Sequence, residues 1–215
     1  MDSRGGGGDL RTAPGAPQSP AASSQLRRLL FVGTSLTAGL GLEPDSAFPQ
    51  RVERMVDSAG LPYEVVNAGV SGETSAGLLR RLEWLLRGPV DVLVLETGAN
   101  DGLRGIPVAS MRDNIRAAIA RIKAAHPAAA IYLVQMEAPP NLGREYTTAF
   151  RASYPALARE AGVELLPFLL DGVAGESALN QPDGIHPNDA GARIIAARIY
   201  GQLEPALRAR AARRD

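Results

Sequence analysis

The stretch LLFVGTSL, residues 29–36, starts as an uninterrupted apolar run and closes on a glycine followed by hydroxyl side chains. An apolar run of this length that ends at a glycine is typical of a fully buried parallel strand leading into a turn. The clearest second example is DVLVLETG, residues 91–98, whose centre is also continuously apolar. Both runs predict the central strands of a sheet that is covered on its two faces.

Strand and helix patterns alternate along the rest of the chain. Further strands are predicted at 63–67, 129–137 and 163–167, and helices over about 46–60, 74–87, 108–125, 146–161 and 188–207. This alternation indicates right-handed βαβ units. We therefore predict an α/β fold, a flavodoxin-like three-layer α/β/α sandwich whose five-stranded parallel sheet has the order 2-1-3-4-5. Such sheets bind ligands at the carboxyl ends of their strands.

The first 26 residues differ in composition from the rest of the chain. They are rich in Gly, Pro, Ala and Ser without a hydrophobic period, so they cannot bury enough surface to offset the entropy of ordering. We predict a flexible tether over 1–26, one folded domain over 27–208 and a solvated basic tail over 209–215. The tether suggests an export signal, of the lipoprotein kind, that Met1 has replaced. It favours a periplasmic or lipoprotein-anchored location, with a cytoplasmic one as the alternative.

The composition leaves few kinds of chemistry. The sequence has no cysteine, which excludes disulfides and thiol nucleophiles, and only two histidines, His126 and His186, so a histidine-rich zinc site is not expected. Basic and acidic residues number 23 each, which indicates neither a nucleic-acid partner nor an anionic membrane surface. No stretch approaches the roughly 18 apolar residues of a membrane helix, so no stable membrane insertion is expected. The oligomeric state is not specified.

Ser35 lies directly after the turn that ends the first predicted strand, within GTSL (33–36). A sharp strand-to-helix turn can present its hydroxyl as a nucleophile. Serine is also a good helix N-cap, and this tetrapeptide alone does not decide between the two roles.

The loops after the second and third strands contain candidate oxyanion donors. The glycines of NAGVSGETS (67–75) allow backbone N–H groups to approach a ligand, although a connecting loop with Thr74 as N-cap is the simpler alternative. In TGANDGLRG (97–105), the Asn100 amide can face a developing oxyanion, or Asn-Asp-Gly can be an ordinary turn. The glycine spacing of this second loop does not match a dinucleotide fingerprint, so no nucleotide cofactor is expected.

Asp183 and His186 lie together in DGIHPN (183–188), just before the last predicted helix. A carboxylate three residues ahead of a histidine can bond the imidazole, hold one tautomer and leave the other nitrogen to act as a base. A loop histidine is incidental unless a nucleophile faces it. His126 ends a predicted helix, where its charge favours the helix dipole, and is interpreted as structural.

Taken together, these loops supply a nucleophile, a base with its orienting carboxylate, and oxyanion donors at one edge of the sheet. That set is complete for acyl transfer. No metal and no cofactor is required.

Four short blocks resemble those of the SGNH/GDSL hydrolases: GTSL (33–36), SGET (71–74), GAND (98–101) and DGIHP (183–187). NDGLRG (100–105) and NLGREY (141–146) are similar to the bacterial thioesterase, lysophospholipase and arylesterase branch of that family. The resemblance implies a hydrolase domain over 27–208 that cleaves small or medium acyl esters or thioesters. It implies Ser35 as nucleophile, His186 as base and Asp183 as its orienter, with Ser35 N–H, Gly72 N–H and the Asn100 amide as the oxyanion hole.

One position departs from the family pattern. The family usually has aspartate between the glycine and the serine of its first block, where this chain has Thr34. We expect rearranged hydrogen bonds in the turn and a modest effect on rate.

The substrate itself is less well specified by the sequence. A carbohydrate acetyl esterase of the same fold is the alternative enzyme, and a non-catalytic binding module is the alternative from another class. An acyl groove can be lined by Leu103, Ile106, Leu142 and Tyr146, although packing is an equal interpretation of all four.

Overall fold

The structure is a computed structural model that describes Met1 and residues 26–213. The predicted tether, apart from its two ends, and the last two residues of the predicted tail lie outside the described residues. The division into tether, domain and tail therefore stays a prediction.

Five strands form one parallel sheet. Their bounds are β1 Arg27–Gly33, β2 Tyr63–Gly69, β3 Val92–Leu95, β4 Ala130–Val134 and β5 Glu164–Leu166. The strand order is β2-β1-β3-β4-β5, and every pairing is parallel. Both the fold class and the strand order are therefore confirmed.

Seven α-helices are found within residues 26–213. Their bounds are α1 Ser35–Ala38, α2 Phe48–Ser58, α3 Ser75–Leu85, α4 Ala99–Leu103, α5 Val108–Ala125, α6 Arg144–Ala161 and α7 Asp189–Ala212. Helix α2 packs against α7, while α5 packs against both α3 and α6. Two short 3₁₀ turns, Pro44–Ser46 and Pro140–Leu142, complete the connections.

The centre of β1 is buried on both faces, as the apolar run predicts. Leu29, Leu30, Phe31 and Val32 are each at most 1% exposed. Strand β1 pairs with β2 on one side and β3 on the other, with Val32 opposite Ala68 and Leu95. The loops after these three strands therefore leave the sheet side by side, at the point where the strand order reverses.

The structure differs from the predicted elements at the end of β3 and at the end of α7. Strand β3 ends at Leu95 rather than at Gly98, and the next segment forms the short helix α4, because Gly98 takes a left-handed conformation and caps it. A Cβ at Gly98 would lie 2.3 Å from the Tyr154 hydroxyl oxygen, so only glycine fits.

Helix α7 is longer than its pattern predicts. It continues from the expected end near Leu207 through four residues of the predicted basic tail to Ala212. The fully buried Leu203 and Leu207 anchor its last turns, and the three alanines among its last four residues favour helix. The predicted helix end near residue 207 is therefore wrong.

Candidate active site

Ser35 is the first residue of α1, and its hydroxyl points at a histidine. Its Oγ lies 2.9 Å from Nε2 of His186. The helix N-cap is Thr34, and no side-chain hydrogen bond caps this helix. The N-cap interpretation of Ser35 is therefore wrong: its hydroxyl is engaged by an imidazole 151 positions away in the sequence.

His186 is held from its other side by Asp183. Its Nδ1 lies 2.7 Å from Asp183 Oδ2, while Asp183 Oδ1 accepts the backbone N–H groups of Ile185 and His186 at 2.9 and 3.0 Å. The backbone and ring hydrogen bonds from His186, with the bond from Ile185, lower the pKa of Asp183 to about 2. The carboxylate thus stays ionised and fixes the proton on Nδ1, which leaves Nε2 free to accept one.

The loop before α7 keeps this pair in place. Asn188 caps α7 by accepting the backbone N–H groups of Ala190 and Gly191, and its own backbone N–H bonds the carbonyl of Leu179. Because the helix starts three residues after His186, its cap fixes where the imidazole stands.

Gly72 and Asn100 line the same cavity as Ser35 and His186. Gly72 has a φ of +76°, a conformation that favours glycine, and its carbonyl accepts a hydrogen bond from Arg104 at 2.8 Å. The Asn100 amide donates to the backbone carbonyl of Glu73 at 3.0 Å. This bond uses one of the two amide protons and orients the other. As the first residue of a helix, Ser35 also has a backbone N–H with no partner in its own helix.

A buried carboxylate that the motif analysis overlooked ties the two donor loops together. Asp101 is fully buried, and it accepts the backbone N–H of Ser75 at 2.8 Å and the Ser75 hydroxyl at 2.6 Å. Asn114 adds a bond to that hydroxyl at 3.0 Å. The position of Asp101 directly after Asn100, inside the GAND block, was the available signal.

A second buried carboxylate, Glu96, lies beneath the turn that carries the serine. It accepts the Thr34 backbone N–H at 2.7 Å and the Thr37 hydroxyl at 2.9 Å. Its position at the end of an apolar strand gave no sign of this contact, because the contact depends on how β1 and β3 pair.

The cavity has a volume of about 540 Å³. Its wall is mostly apolar and comes from the loops after all five strands and from the loop around His186; it includes Leu36, Leu40, Leu103, Met136, Pro139, Phe168, Leu170 and Ile185. The sequence analysis missed the contribution from the ends of β4 and β5.

Of the four groove residues considered, only Leu103 lies among the described lining residues. Ile106, Leu142 and Tyr146 do not. The hydroxyl of Tyr146 donates to the Ile106 carbonyl at 2.6 Å, and its ring stacks on Phe150 at a centroid distance of 6.1 Å. The packing interpretation is correct for Tyr146.

His126 lies at the end of α5, where its Nε2 is 3.0 Å from the Leu86 carbonyl oxygen. It is not among the residues of the cavity wall. Within residues 26–213, no group of three or more histidine, aspartate and glutamate side chains could hold a metal ion. None of the helices described is both long enough and apolar enough to cross a membrane.

Comparison with known proteins identifies the family of this chain. The model of the GDSL-like lipase/acylhydrolase family matches residues 31–194. The chain is 39% identical to the esterase TesA of Pseudomonas aeruginosa over 180 residues, which are 83% of this chain and 89% of that protein. It is 41% identical to the thioesterase 1/protease 1/lysophospholipase L1 of Escherichia coli over 179 residues, 82% of this chain and 83% of that one.

A solved structure has the same fold over most of this chain. The psychrotrophic esterase EstA of a Pseudoalteromonas species superposes with a TM-score of 0.79 at 33% identity, covering 85% of this chain and 99% of that one. The family match takes in Ser35, Gly72, Asn100, Asp183 and His186. The chain belongs to the GDSL-like lipase/acylhydrolase family.

Proposed function

We propose that this protein is a serine esterase that hydrolyses small or medium acyl esters through an acyl-enzyme on Ser35. The observation that carries the proposal is the continuous chain of short contacts from Ser35 Oγ to His186 Nε2 and from His186 Nδ1 to Asp183, at 2.9 and 2.7 Å. A serine, a histidine and a carboxylate in this order constitute the catalytic triad of serine hydrolases.

The first half of the reaction acylates the serine. As Ser35 Oγ attacks the ester carbonyl carbon, His186 Nε2 takes up the hydroxyl proton. The oxyanion that forms is stabilised by the N–H groups of Ser35 and Gly72 and by the Asn100 amide. When the tetrahedral intermediate collapses, the C–O bond to the leaving group breaks, and His186 returns the proton to the departing alkoxide.

The second half repeats these steps with water. His186 accepts a proton from the water molecule as its oxygen attacks the acyl carbon. Collapse of the second intermediate releases the carboxylic acid and returns the proton to Ser35 Oγ. The imidazolium that forms twice per cycle is stabilised by Asp183, whose lowered pKa keeps it charged at every working pH.

The cavity wall supports an acyl chain as the bound part of the substrate. Among the described lining residues, Phe168 is the one phenylalanine, tyrosine or tryptophan, and most of the others have aliphatic side chains. Sugar-binding platforms are rich in aromatic rings and polar donors, so this lining favours acyl esters over acetylated carbohydrates. The relatives named above carry esterase, thioesterase and lysophospholipase in their names, and which leaving group this chain prefers is the finer part of the proposal.

A chain-length series tests the substrate class. With p-nitrophenyl esters, kcat/KM should rise about fourfold for each added methylene, the rate equivalent of roughly 0.8 kcal/mol of burial, until the chain fills the cavity. An acyl-CoA and a lysophospholipid of the best chain length, measured in parallel, compare thioester and lipid leaving groups. A value of kcat/KM that does not change from acetate to octanoate would contradict an acyl-binding cavity.

A further inference from the structure

Hydrogen-bond donors reach Glu96 from Thr34 and Thr37, which lie on either side of Ser35. Oε2 accepts the Thr34 backbone N–H at 2.7 Å and the Thr37 hydroxyl at 2.9 Å, and the Thr34 hydroxyl lies 3.0 Å from both carboxylate oxygens. Glu96 itself is 1% exposed. One buried side chain thus binds both Thr34, one residue before the serine, and Thr37, two residues after it.

We propose that Glu96 is a positioning residue for the Ser35 nucleophile. Its carboxyl group, fixed to the sheet, holds residues 34–37 so that Ser35 Oγ meets His186 and Ser35 N–H meets the oxyanion. This inference rests on the proposed function, because it assigns a task in that same reaction.

Glu96 is fixed by the hydrogen bonds of the sheet, whereas the turn that it holds belongs to a short helix. The Glu96 backbone N–H bonds the Val32 carbonyl at 2.8 Å, one step beyond the pairing of Val32 with Leu95, so this residue continues the sheet. Helix α1 has only four residues and lacks a side-chain cap. A helix this short does not hold its own geometry, because it cannot repay the cost of nucleation. The side chain of Glu96 adds a constraint to this turn, beside the Asn67 amide, which donates to the Thr37 carbonyl at 2.9 Å.

The carboxyl group of Glu96 acts as a hydrogen-bond acceptor for the residues around it. Burial raises the pKa of Glu96, and the hydrogen bonds from Thr34 and Thr37 oppose that rise. The hydrogen bonds reach its two oxygens from both sides of Ser35 and therefore restrict the turn.

The same contacts explain why a threonine suits position 34. Thr34 offers Glu96 two donors, its backbone N–H and its hydroxyl. Aspartate, which the family usually has at this position, would offer only the backbone donor and would bring a second carboxylate toward the first. In this chain the threonine and the glutamate act as one unit beneath the nucleophile.

Glu96→Gln is the direct test, since glutamine has the same shape but faces the same donors with one acceptor and one amino group. We expect kcat for p-nitrophenyl butyrate to fall about 30- to 100-fold, the scale of a small misplacement of reacting groups, with KM unchanged within about threefold. The rate at which a fluorophosphonate labels Ser35 should fall by a similar factor. Thr37→Val should lower both kcat and the labelling rate by about fivefold. In the double variant with Glu96→Gln, the additional effect of Thr37→Val should be smaller.

Two measurements separate positioning from stability and from the proposed function itself. Ser153→Ala removes another buried hydroxyl, which bonds the Ala149 carbonyl at 2.8 Å within α6; it should lower the melting temperature and leave kcat unchanged. If Glu96→Gln does not fold, the kcat and labelling rate of Thr37→Val test the inference in its place. A folded Glu96→Gln or Thr37→Val enzyme with wild-type kcat and labelling rate overturns the inference. Wild-type protein that is neither active nor labelled overturns the proposed function instead.

Discussion

Removing the Asn100 amide is the sharpest perturbation of the proposed oxyanion hole. Asn100→Ala deletes a donor whose orientation is already fixed by its 3.0 Å bond to the Glu73 carbonyl. One such preorganised donor contributes roughly 2.7–4 kcal/mol to the transition state. We therefore expect kcat to fall about 100- to 1,000-fold, while KM changes little because the neutral ground-state carbonyl depends less on this bond.

The stability cost of the same change should be small. The variant loses one partly buried hydrogen bond, worth about 1 kcal/mol. For a domain of this size that corresponds to a fall in melting temperature of roughly 2–4 °C. Loss of folded enzyme at 25 °C therefore cannot account for the loss of rate.

The assay is steady-state hydrolysis of p-nitrophenyl butyrate at pH 8, with thermal unfolding measured on the same samples. Asn141→Ala is the matched control, because Asn141 is an exposed asparagine that is absent from the cavity wall. It should retain wild-type kcat. The reasoning is refuted if Asn100→Ala keeps kcat within about fivefold of wild type, which is no more than an ordinary hydrogen bond, or if the whole loss is in KM.

Two further predictions concern charge. Asp183 should stay ionised throughout the assay range, because the hydrogen bonds from His186 and Ile185 hold its pKa at about 2; a loss of kcat/KM that follows protonation of Asp183 at pH 5 or above would contradict this. Thr34→Asp should change turnover by less than about a hundredfold, equal to about 2.7 kcal/mol in barrier. Because a second buried carboxylate beside Glu96 must keep a proton, its pKa in the folded state lies above the unfolded value, so the stability of this variant relative to wild type should fall as pH rises. Urea unfolding at pH 5 and pH 8 measures this difference, and equal relative stability at both values would contradict the reasoning.

Much of the fold could be predicted because local pattern and global packing agree. The apolar runs at 29–32 and 92–95 have the length and continuity that buried parallel strands explain well, and the alternation with helices restricts the strand order. The end of β3 and the start of α4 could not be predicted, because they depend on the Tyr154 hydroxyl, which leaves no room for a side chain at Gly98. Tyr154 is 56 positions away from Gly98 in the sequence.

The site shows the same division between local and long-range signals. Ser35, Asp183, His186, Gly72 and Asn100 lie in short motifs, so the sequence could propose their roles before any distance was known. Glu96 and Asp101 act through pairs of loops that meet only after the sheet forms. A buried carboxylate at the end of an apolar strand has no motif of its own.

The cavity wall was the least predictable feature. Phe168 and Leu170 follow β5, and Met136 follows β4. In the sequence, these segments cannot be distinguished from apolar segments of the core. Their convergence on Ser35 depends on the tilt and twist of neighbouring strands, which composition and spacing do not encode.

Covalent labelling of Ser35 tests the central claim most directly. Wild-type protein treated with a fluorophosphonate should gain the mass of one phosphonyl group on the intact chain, located by peptide mapping to Ser35, with loss of esterase activity in the same proportion. Ser35→Ala should neither be labelled nor hydrolyse p-nitrophenyl butyrate, whereas Ser71→Ala, which changes an exposed serine next to Gly72, should still be labelled and remain active. Labelling at another serine, or full activity in Ser35→Ala, would contradict the account.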